Sequence, residues 1–66
     1  MIYKLYDLWT EESIFLDKIP SEKVLVELIY QKWGKSYSKK TKISKVKEIK
    51  KNLGCYIISP VKMLNL

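Results

Sequence analysis

A single cysteine, Cys55, and no histidine remove the usual reinforcements from a chain of this size. Domains of 66 residues bury only about 60% of the surface that their unfolded chains expose, and many rely on disulfides or a structural metal. One thiol cannot close an internal disulfide, and without histidine it cannot complete a tetrahedral zinc site. Neither a metal nor a cofactor is expected. Folding must therefore rest on apolar packing, self-association or both. The supply is adequate: 47% of residues are hydrophobic, including two tryptophans, five tyrosines and one phenylalanine. That is too apolar for a disordered tail, and the length fits one domain over residues 1–66.

The order of elements follows from local patterns. Ile2 to Trp9 is aromatic and branched, with Tyr3, Leu5 and Trp9 on one alternating face and Ile2, Tyr6 and Leu8 on the other. Thr10-Glu11-Glu12 reads as a turn, and Ser13 to Ile19 is a second β-favouring run. The pair predicts a hairpin, although no Asn-Gly or Asp-Gly turn joins it. Pro20-Ser21 then closes the hairpin and opens a helix, the serine supplying an N-cap and Glu22 a negative charge at the dipole's positive end. Val24, Leu25, Leu28, Ile29 and Trp33 carry helical spacing to Gly34, predicting a helix over 21–33.

A lysine-serine linker follows, and then Ile43, Val46, Ile49 and Leu53 recur every three or four residues. This predicts a second helix, capped by Thr41 or Ser44, with Lys40, Lys47 and Lys51 clustered opposite the apolar positions. Cys55 to Ser59 reads as a strand that Pro60 ends or confines to a sheet edge, with Val61 to Leu66 free to extend it after a bend. The expected fold is a small α+β domain of order ββααβ, one antiparallel sheet covered by two helices.

Charge divides along the chain. Residues 1–31 hold three lysines against six carboxylates, a balance of −3; residues 32–66 hold ten lysines against Glu48 alone, +9. Lys35, Lys39, Lys40, Lys42, Lys45, Lys47, Lys50 and Lys51 form a candidate surface for phosphates or for an acidic partner, and Tyr37 among them is a candidate for stacking on a base. All thirteen cations are lysine. Lysine acts as a point charge where arginine would make a bidentate fork, so any nucleic-acid contact is expected to be phosphate-dominated and weakly sequence-specific. An ordinary solvated helix face is the competing explanation of the same residues.

Catalysis is not expected. There is no histidine and no glycine-rich phosphate loop, since Gly34 and Gly54 are the only glycines. Asp7 and Asp17 are a conceivable pair across the hairpin, although two solvated strand positions explain them more simply. Cys55 reads as a packed small hydrophobe. No segment reaches the roughly 20 apolar residues of a spanning helix, no secretory signal is visible, and the second helix lacks an aromatic anchor for a lipid surface. A cytoplasmic location without membrane contact is the expectation.

Two functional readings stay open. In one, the chain is a small non-enzymatic binding protein that meets nucleic acid or a nucleoprotein complex through its lysine-rich second half. Its composition suits an accessory factor of a phage or mobile element. In the other, it is a protein-interaction module or an inhibitor of a host enzyme such as a CRISPR effector. That reading admits a homodimer, with the lysines solvated or turned toward an acidic protein surface.

Overall fold

The structure, a computed structural model, describes residues 1–38 and 40–62. It contains β1 (Ile2–Asp7), β2 (Ser13–Leu16), α1 (Glu22–Trp33), α2 (Lys42–Lys51) and β3 (Tyr56–Val61), in the expected ββααβ order. Short 3-10 turns follow each helix, at Gly34–Ser36 and Leu53–Cys55. The chain groups into two compact units: the strands, residues 1–19 and the segment from Gly54 onward, and the helices, Pro20–Leu53.

In the strand unit, β1 lies centrally in an antiparallel sheet of order β2-β1-β3. Tyr3 pairs with Leu16 and Leu5 with Ile14 on one side; Lys4 pairs with Ser59 and Tyr6 with Ile57 on the other. Leu5, Asp7 and Tyr56 lie on one face and are buried. Leu8 N–H donates to the Cys55 carbonyl at 3.0 Å, extending the ladder in a phase that aims the Pro60 nitrogen at the free edge of β3. The strand therefore runs through Pro60 to Val61 without losing a ladder bond.

The β1–β2 turn is built without glycine. Asp7 Oδ1 accepts from Trp9 N–H at 2.8 Å and from Thr10 N–H at 3.4 Å, while Glu11 N–H donates to the Asp7 carbonyl at 2.8 Å. Glu11 takes the left-handed position, φ 61°. An aspartate that folds back on the amides ahead of it does the work expected of an Asn-Gly pair.

In the helical unit, Ser21 Oγ accepts from Val24 N–H at 3.4 Å and caps α1. Thr41 Oγ1 accepts from Ser44 N–H at 3.1 Å and caps α2. Val26, Ile29 and Trp33 of α1 and Ile49 of α2 are buried. Two apolar residues expected on the packed faces are not there. Val24 and Ile43 are exposed, because Val24 lies about 160° around α1 from Val26, and Ile43 about 120° around α2 from Ile49. Gly34 ends α1 in right-handed geometry, φ −55°. Its lack of a side chain serves proximity: a β-carbon there would lie 3.3 Å from the Tyr30 ring.

Candidate functional site

The helical unit carries most of the lysines, ten of thirteen. Between Pro20 and Leu53 there are ten lysines against Glu22, Glu27 and Glu48, a balance of +7; the remaining residues hold three lysines and four carboxylates, −1. On α2, Lys47, Lys50 and Lys51 are exposed, as is Lys40 just before the cap. Helical geometry places Lys47 and Lys51 within one outward sector of α2, while Lys40 precedes the extended Thr41 cap. Ile43, 72% exposed, lies in the same sector. Lys50 borders it and also lines a cleft with Glu22, Lys23, Val26, Glu27 and Val46.

The other candidate lysines are placed differently. Lys42 Nζ donates to Glu27 Oε1 at 3.2 Å and lies 5.0 Å from the centre of the Tyr30 ring. Gln31 Nε2 donates to the same carboxylate oxygen at 3.2 Å. The Gln31 hydrogen bond first, and the Lys42 hydrogen bond second, favour the ionised carboxylate and hold Glu27 below its usual range. Lys42 thus ties α2 to α1 and is already engaged. Lys45 is half-buried and shares a hollow with Tyr30, Gln31, Gly34 and the exposed Lys35. Lys39 lies outside the described residues.

Tyr37 does not fit the stacking role. It is only 7% exposed, because the 3-10 turn after α1 carries the chain around until Tyr37 N–H donates to the Gly34 carbonyl at 3.2 Å. Its ring belongs to the packed interior and offers no open face to a base. Asp7 and Asp17 do not pair either. With Tyr3 opposite Leu16, Asp17 follows the far end of β2, whereas Asp7 is 1% exposed and bonded within the turn. Among the described residues no group of three or more His, Cys, Asp or Glu side chains is placed to hold a metal.

Compared with protein-family models, curated proteins and solved structures, the chain matches none. The fold and the placement of its charges therefore carry the functional argument. Among the described residues no helix is long and apolar enough to cross a membrane.

Sequence reasoning missed a second surface. The sheet positions alternate with the buried ones, so Ile2, Lys4 and Tyr6 of β1, Ser13 and Phe15 of β2, and Ile57, Ser59 and Val61 of β3 share the opposite face. Phe15 is 66% exposed and Ile57 46%. The period-two pattern was visible around Tyr6. Phe15, between Ile14 and Leu16, sits in an apolar run that carries no alternation to read.

Proposed function

We propose that this chain is a non-enzymatic binding protein that engages the phosphates of a nucleic acid through the outward sector of α2. The observation that carries the reading is that Lys47 and Lys51 share one exposed sector of α2, with Lys40 exposed just before its cap, in a unit with a balance of +7. Lysines so arranged neutralise phosphates and release counterions, which supplies affinity without sequence readout. The absence of arginine agrees with point-charge contact rather than base reading.

The experiment is charge reversal. Lys40→Glu, Lys47→Glu and Lys51→Glu, combined in a variant whose helical circular dichroism matches the parent, should abolish binding to labelled DNA at low salt. Undiminished binding would remove α2 from the interface.

A second reading is favoured by Ile43. An exposed branched residue that shares its sector with Lys47 and Lys51 suits an acidic protein surface with an apolar centre better than it suits a phosphate backbone. Ile43→Ser separates the two: it leaves DNA binding unchanged and weakens a protein partner. The composition suits a phage or mobile-element accessory factor, for instance an inhibitor of a host nucleic-acid enzyme, under either reading.

A further inference from the structure

We infer that the open face of the sheet is a base-stacking platform for single-stranded nucleic acid, an inference that rests on the reading of this chain as a nucleic-acid binder. Lys4 and Phe15 are direct cross-strand partners, and directly opposed residues project from the same face. Tyr6 lies two positions along β1 from Lys4, and the Lys4 ammonium stands 5.4 Å from the centre of its ring. Tyr6 and Phe15 are thus diagonal neighbours, roughly 7–8 Å apart in a sheet of ordinary geometry, a spacing suited to successive unstacked bases of an extended strand. Aromatic rings on a pleated surface offer π-faces that any base can use, and a lysine beside them meets the backbone that must accompany the bases.

The charge of the face selects the occupant. Its eight strand positions are Ile2, Lys4, Tyr6, Ser13, Phe15, Ile57, Ser59 and Val61. None is acidic, one is a lysine, and the two serines lie on the strands flanking Lys4. The strand carboxylate of β1, Asp7, is buried on the other face. A second copy of the chain is the competing occupant of so apolar a surface. Lys4 stands mid-way along the central strand, so a two-fold stack centred on this face sets Lys4 against its own copy, a like-charge approach with no carboxylate among these eight strand positions to relieve it. A polyanion that carries aromatic bases satisfies the rings and the lysine together. Duplex DNA, whose bases are stacked internally, does not.

The test compares labelled oligothymidine, a labelled duplex of equal length and inorganic polyphosphate, each titrated against the wild type, Phe15→Leu and Phe15→Trp. The expected result is that Phe15→Leu loses about ten-fold in affinity for oligothymidine. It should change neither duplex nor polyphosphate binding, and Phe15→Trp should restore the loss. Phe15→Leu binding all three probes like the wild type would overturn the platform while leaving the lysine sector in place. A wild type that binds none of the three would overturn both. Sedimentation of the wild type and Phe15→Leu completes the experiment: a dimer that dissociates in the variant assigns the face to a second copy and refutes the platform.

Discussion

Lys42 Nζ lies 3.2 Å from Glu27 Oε1, across fifteen residues of sequence, an ion pair that joins the two helices. The lysine that opens α2 is therefore bonded to α1. The pair is half-exposed, which limits its worth in water; its clearest consequence is in titration. Glu27 is held below the ordinary glutamate value by the Gln31 hydrogen bond first and the Lys42 hydrogen bond second. A carboxyl whose folded value lies below its unfolded value supports the fold above the unfolded value, and that support is lost as pH falls through the folded one. The Glu27 carboxyl carbon, followed by NMR, should titrate below the ordinary glutamate range, and both Gln31→Ala and Lys42→Met should move it up. Titration at the ordinary value in the wild type would mean the pair does not persist in solution.

The buried Asp7 carboxylate organises the β1–β2 turn by accepting from Trp9 and Thr10. Asp7→Ala leaves those amides without an acceptor and should cost about 1–3 kcal/mol in urea unfolding. Asp7→Asn keeps a side-chain oxygen and should cost clearly less. Equal losses would show that charge, rather than acceptance by the turn amides, is what the position requires.

Two backbone positions should respond in opposite senses to glycine. Glu11 sits at φ 61°, where a side chain is unfavourable, so Glu11→Gly should stabilise the chain by about 0.5–1 kcal/mol. Gly54 has no positive φ, and a β-carbon there would meet nothing within 4 Å. Gly54→Ala should stabilise by about 0.4–1 kcal/mol by restricting the unfolded chain. Both are read from shifts in the urea midpoint at constant slope.

The element order was legible because its signals are local: Pro20-Ser21 before α1, the recurrence ending at Trp33, and Thr41 before α2. Which apolar residues are packed was less so. Spacing of three and four admits Val24 beside Leu28 and Ile43 beside Val46, and only the neighbouring helix decides which side of each cylinder is covered. Tyr37 was misread for a related reason. Its sequence neighbours are polar, but a 3-10 turn returned its ring to the interior. The turn at Asp7 was obscured because its chemistry lies in a side-chain acceptor rather than in a glycine. The lysine sector was partly legible from the helical wheel; that Lys42, another candidate cation, is engaged by α1 needed the position of Glu27, a long-range fact.

The salt dependence of DNA binding shows whether the lysines of α2 meet phosphates. The affinity of the wild type and of the Lys40→Gln, Lys47→Gln, Lys51→Gln triple variant for one duplex would be measured across a range of salt concentrations. For B-DNA the logarithm of affinity falls with the logarithm of salt at a slope of about −0.9 per phosphate neutralised. A steep slope is expected for the wild type, becoming shallower by about 0.9 for each of the removed lysines that meets a phosphate. A slope that is the same in both proteins, or no binding even at the lowest salt, would contradict phosphate contact by these lysines.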